Sequence, residues 1–218
     1  MLVSASKENI LKKIRKALTQ STPLPFPGSE GTASVFKPGK QEMEIEFGEQ
    51  FSNLLGKFIY CADIQELEVQ LSSIIAHHKW EKIFFVADEL RDVLTNSLLQ
   101  KPPYPDLATA NAAITTCEAL IARTGSIMLS SAQKSGRATS VYAEIHICIA
   151  FTDQLVYDVK DGLQMIKDKY PGKIPSVVTF ATGPSRTADI EKTLVVGVHG
   201  PKEVYVFLVE RGSLNDTL

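Results

Sequence analysis

Short apolar runs without a polar face alternate along this chain with stretches whose apolar residues recur at helical spacing. That alternation constrains the fold more than any other feature. FIYCA (58–62), KIFFVA (82–87), EIHICIAF (144–151) and VYVFLVE (204–210) read as strands, and all but EIHICIAF lack even a partial polar stripe. Strands of this kind are buried on both faces. Between them, EFGEQFSNLLGKF (46–58) sets Phe47, Phe51, Leu54, Leu55 and Phe58 at helical spacing. IQELEVQLSSIIAHH (64–78) does the same with Ile64, Leu67, Leu71, Ile74 and Ile75. DELRDVLTNSLL (88–99) and DVKDGLQMIKDKY (158–170) are two further helical stretches. Strands alternating with helices predict an α/β fold, a mainly parallel sheet with flanking helices.

The middle of the chain is less regular. KPPYPD (101–106) interrupts the pattern, after which AAITTC precedes a predicted short helix, EALIART, closed by Gly125. SIMLSS (126–131) and PSVVTFA (175–181) read as strands, with the polar turn AQKSGR following the first. At the N-terminus, SKENILKKIRKALTQ (6–20) forms an amphipathic helix with a lysine- and arginine-rich outer face. STPLPFPGSEGTASVFKPGK (21–40) is too rich in proline and glycine for regular structure. The expected organisation is an N-terminal helix and loop over 1–45, then one α/β domain over 46–218.

Composition excludes several functions. A formal net charge of −2 over 218 residues lacks the basic excess of a nucleic-acid reader. No apolar stretch approaches the ~18 residues of a membrane span, and the N-terminus lacks a signal peptide's apolar run. Three scattered cysteines, Cys61, Cys117 and Cys148, neither form a disulfide framework nor supply four thiols for an iron–sulfur cluster. A soluble, cytoplasmic protein with no cofactor of its own is expected.

Polar chemistry concentrates in a few places. TGPSRTADIE (182–191) joins Gly183 and Pro184 to the hydroxyls of Thr182, Ser185 and Thr187, to the planar fork of Arg186, and to Asp189 and Glu191. Such a set suits an anion cradle; it equally suits a strand-to-helix turn capped by Thr187 and Asp189. VGVHGP (196–201) sets His199 before Gly200 and Pro201, as a general acid or base or as an ordinary loop histidine. Thr124, Gly125 and Ser126 are either a helix cap or small hydroxyls beside a ligand, and Arg137 follows in a polar turn. In EIHIC, Glu144, His146 and Cys148 share one strand face. Their ends lie ~13 Å apart, too far to grip one ion at ~2 Å. Because ligands of open α/β sheets lie beyond the carboxyl ends of strands, the loops after 131 and 181 are the expected rim.

RTGSIMLSS (123–131), Arg137, EIHICIAF, TGPSRTADIE and VGVHGP, in that order, resemble the LUD domain, the family of the bacterial lactate-utilisation C proteins. The resemblance implies a NagB/RpiA/CoA-transferase-like fold. It also implies an accessory role in a system oxidising L-lactate to pyruvate, beside iron–sulfur oxidoreductase subunits that hold the clusters this chain lacks. Carried over, the matching positions are Thr124, Gly125, Ser126, Arg137, His146, Gly183, Pro184, Ser185, Arg186, Asp189, Glu191, His199, Gly200 and Pro201. The expected site is a pocket for a small anion, anchored by Arg186 and lined by His199 and His146. The alternative is a free-standing enzyme or binding protein for a phosphorylated or CoA-linked small molecule.

Overall fold

The computed structural model describes residues 5–19, 39, 41–86, 90, 103–187, 195–197 and 199–211. The chain divides into two compact units, 1–37 and 38–218. In the first, helix α1 spans Ala5–Leu18, with Ile10 and Ile14 about half exposed on its apolar stripe.

The second unit opens with α2 (Met43–Asn53) and β1 (Lys57–Cys61). The 46–58 stretch is therefore not one helix. Leu55 takes a positive φ of 68° after the last helical turn, and Phe58 belongs to the strand, where it meets Phe47 edge-on at 5.7 Å. Next come α3 (Ile64–His78), β2 (Ile83–Phe85), β3 (Ala112–Thr115), β4 (Ala119–Ile121) and β5 (Ser126–Ser130). A short helix α4 (Thr139–Tyr142) leads to β6 (Ile145–Phe151), β7 (Leu155–Val156), α5 (Val159–Lys169) and β8 (Val178–Ala181). Two-residue strands β9 (Arg186–Thr187) and β10 (Val195–Val196) precede the last strand, β11 (Glu203–Val209). The predicted helix 88–99 lies outside the described residues except for Leu90.

Five strands form an all-parallel sheet in the order β1-β11-β6-β3-β2, which bears out the α/β reading. The sequence reading had one sheet; the structure has a second, of four strands in the order β7-β4-β5-β8, with antiparallel pairs at β4–β5 and β5–β8. β9 and β10 make a separate two-stranded ribbon.

Pleating explains the layers. Ile145, Ile147, Ile149 and Phe207 point to one side of the parallel sheet, onto Leu67 and Leu71 of α3. Cys148, Ala150, Val204, Val206 and Leu208 point to the other, onto Leu120, Ile127 and Leu129 of the second sheet and Phe47 and Phe51 of α2. The second sheet's far face, with Ala119, Ile121 and Met128, is covered by Ile166 of α5. Each fully buried phenylalanine is worth ~3–5 kcal/mol against alanine in such a core.

The same pleating corrects the predicted helix EALIART. Leu120 enters the core between the sheets, while Ala119 and Ile121 enter the core under α5. With both faces buried, every position is apolar and the pattern no longer separates a helix from a strand. Only Ala122–Thr124 forms a single 3₁₀ turn, closed by Gly125 at φ 57° as expected.

Candidate functional site

The second sheet brings two of the singled-out segments together. β8 runs antiparallel to β5, so Thr182, just past the end of β8, lies beside Ser126 at the start of β5. Their hydroxyls are 2.9 Å apart, and the Thr124 hydroxyl is 2.7 Å from that of Ser126, giving a row of three. Gly125 and Gly183 flank this row with positive φ, and both press on the end of α2. A Cβ on Gly183 would stand 2.5 Å from the Leu54 carbonyl oxygen, and one on Gly125 would stand 2.6 Å from the Phe51 backbone nitrogen. The close approach that these glycines permit is therefore to protein backbone.

Beyond Pro184 the two Gly-Pro turns are tied into one structure. The Ser185 N–H donates to the Pro201 carbonyl at 2.9 Å, and the Gly197 N–H donates to the Ser185 carbonyl at 2.9 Å. β9 pairs with β10, setting Arg186 opposite Val196. Pro184 and Pro201 are buried and Gly200 packs against Ser185, while Arg186 is exposed with no hydrogen-bond or ion-pair partner among the described residues. His199 is exposed too and lines an open cleft of about 510 Å³. Tyr142, Glu144, Gly200 and Lys202 complete its walls, with Lys202 Nζ 2.8 Å from Glu144 Oε1. Screening by solvent leaves that exposed pair worth little to stability.

Other positions part company with this strip. Arg137 donates to the Ser176 hydroxyl at 2.6 Å, at the far end of β5 from Ser126. Because β5 and β8 are antiparallel, the loops that follow them leave by opposite ends. They cannot share the rim expected of parallel strands, and His199 stands before β11, at the amino end of the parallel sheet. Asp189 and Glu191 lie outside the described residues.

His146 was expected as pocket lining beside His199. It is instead 1% exposed, within β6 and facing the core between the two sheets. Its Nε2 meets the Thr115 hydroxyl at 2.9 Å, while Nδ1 is buried with no partner. Burial pulls its pKa down from 6.5 to about 4, so the ring is neutral at pH 7. All three cysteines are buried as free thiols. A hydrogen bond with Cys148 and burial both push the Cys117 thiol up, which disfavours the reactive thiolate. Among the described residues no three His, Cys, Asp or Glu side chains gather to hold a metal ion, and no helix is long and apolar enough to cross a membrane.

One cluster escaped the sequence reading. Glu118, its side chain 1% exposed, accepts from the Ser130 hydroxyl at 2.5 Å, the Tyr170 hydroxyl at 2.9 Å and Lys169 Nζ at 2.8 Å. Burial opposes its charge, but the bonds from Lys169, Ser130 and Tyr170 hold its pKa below the usual carboxylate value. Its signal was present as the one acid inside the apolar run TTCEALIA.

Residues 5–209 match the LUD domain family model. The chain belongs to the LUD domain family. A Deinococcus radiodurans protein named lactate utilization protein C is 36% identical over 115 residues, which cover 51% of this chain and 53% of that protein. A protein of the same name from Anoxybacillus flavithermus is 30% identical over 160 residues, covering 67% and 71%. The Bacillus subtilis protein of that name is 35% identical over 105 residues, covering 47% and 44%. The LUD chain thus spans about half the length of several relatives that it matches. A crystal structure of a DUF162 family protein from Deinococcus radiodurans superposes with a TM-score of 0.57 at 21% identity, covering 77% of this chain and 96% of that one. That likeness confirms the LUD fold as α/β.

Proposed function

We propose that this LUD protein serves lactate utilisation as an accessory subunit, taking a small carboxylate at the joined Gly-Pro turns. The observation that carries this reading is the pair of bonds through Ser185, which makes one wall from two segments more than ten residues apart in sequence. On that wall Arg186 is the anchor, because its guanidinium matches a carboxylate bidentately and has no competing acid among the described residues. His199 supplies a donor to a carbonyl or hydroxyl. Ser185, Gly183, Pro184, Gly200 and Pro201 shape the wall, and Thr124, Gly125 and Ser126 brace it, the buried Ser126 hydroxyl bonding to Thr182. Arg137 serves the opposite end of β5 and is not part of this pocket. The name shared by the relatives supports the lactate setting.

In this reading the electrons of lactate oxidation pass to iron–sulfur clusters in partner subunits. Affinity purification of the tagged chain from its own cells, anaerobically and with reductant, tests that division of labour. The expected result is an iron- and sulfide-bearing protein retained in stoichiometric amount. A chain recovered free of any such protein overturns the accessory role.

A further inference from the structure

The outer side of α2 and the β1 edge of the parallel sheet meet in a groove that the lactate reading leaves unused. Two hollows of about 490 and 590 Å³ share Glu44, Ile45 and Phe58, and so form one continuous trough. Ile45, half exposed, and Phe58 are its apolar floor. Its rim carries Glu42, Glu44, Glu49 and Glu210 and no lysine or arginine. This imbalance is written into the sequence, since residues 42–53, EMEIEFGEQFSN, hold four glutamates and no basic residue.

β1 borders the trough and is an edge strand, paired only with β11 among the described residues. Its pleat turns Phe58 and Tyr60 toward the trough, whereas Ile59 and Cys61 join the core under α3. An open edge presents a row of unpaired peptide groups, which natural proteins usually blunt with lysine, proline or a bulge. The strand's own lysine, Lys57, lies on the opposite face of the pleat, paired with Glu203, so the trough side stays acidic and attracts a basic strand. We infer that this edge is a docking surface for a partner protein's extended segment, bearing lysine or arginine and adding as a strand beside β1. Main-chain bonds to the edge would hold the segment, apolar side chains would cover Ile45 and Phe58, and its cations would face the glutamates. Five residues of β1 offer a platform of ~16 Å at ~3.3 Å per residue.

A fluorescently labelled heptapeptide alternating lysine and valine is the probe, titrated into the full chain and read by anisotropy. Saturable binding is expected, weakening as salt rises. It should drop at least about tenfold in the surface variant Glu44→Lys/Glu49→Lys and in Ile45→Asp, each a change of about 1.4 kcal/mol. Binding to Glu81→Lys/Glu68→Lys, two charge changes of the same sign elsewhere, should hold to within about twofold, the two sites being far less coupled to the groove than the tenfold effect. Amide exchange along 57–61 should slow in the complex, the mark of strand addition. No binding, equal losses in both charge-reversed variants, or unchanged exchange along β1 would each overturn the inference.

Discussion

Glu118→Ala is expected to lower the melting temperature by about 6–12 °C. The carboxylate is the common acceptor of Ser130, Tyr170 and Lys169, and its side chain is 1% exposed. Deleting it leaves the buried Ser130 hydroxyl, which accepts from the Ala132 N–H at 3.1 Å, with no acceptor for its own proton, and opens a cavity beside β5. Breaking an ion pair from one side costs about 3–5 kcal/mol where the charge left behind is itself buried. Lys169, 60% exposed, recovers hydration, so about 3 kcal/mol is the expected loss. For a domain of this size each kcal/mol moves the transition by about 2–4 °C. Glu118→Gln keeps the shape and one acceptor oxygen and should cost less than half as much. Because the folded carboxyl titrates below its unfolded value, this stabilisation is complete above pH 4.5 and lost as pH falls through the folded value. Thermal melts followed by circular dichroism decide the matter, and a shift under about 2 °C for Glu118→Ala contradicts the assignment.

His146 acts in a higher window. Its imidazole titrates at 6.5 when unfolded and at about 4 when folded. Between those values the unfolded chain binds a proton that the folded chain refuses, so stability falls as pH falls. The difference of 2.5 units corresponds to about 3 kcal/mol, present in full above pH 6.5 and gone by about pH 4. His146→Leu removes the titrating group and the unpartnered Nδ1 together. It should flatten the dependence of stability between pH 7 and 5, above the window in which the folded Glu118 carboxyl, held below its usual value, takes up a proton. Urea unfolding at steps of pH measures this directly. A wild-type slope that persists unchanged in His146→Leu would show that another group is responsible.

Where sequence reading succeeded and failed has a physical basis. FIYCA, KIFFVA, EIHICIAF and VYVFLVE were legible because each is a short, mostly apolar run standing between helices with clear stripes, although the edge strand β1 leaves Tyr60 exposed. Asp63, whose side chain accepts from the Glu66 N–H at 2.8 Å, caps the start of α3, a signal that the apolar spacing alone did not use. The second sheet was hidden because its pairings are remote. Ser126 meets Thr182 across 56 positions, and nothing local to either announces the other. The same remoteness misplaced Arg137, since the direction of β5 against β8 decides which end its loop occupies. His146 looked like a site residue because a histidine among isoleucines stands out. Its burial depends on a sheet that no local pattern reveals. The Gly-Pro turns were legible as a unit only through resemblance, and the bonds between them at Ser185 are tertiary.

In the proposed role the joined turns bind a small carboxylate through Arg186. Thermal-shift measurements with L-lactate and pyruvate, and with inorganic phosphate and CoA esters for comparison, test it most directly when repeated on Arg186→Ala. A ligand at one hundred times its dissociation constant adds about 2.7 kcal/mol, a rise of several degrees. That rise is expected with L-lactate or pyruvate in the wild type and is expected to vanish in Arg186→Ala, whose unliganded melting point is unchanged. A rise that survives the substitution, or one produced only by phosphate or CoA esters, contradicts that role.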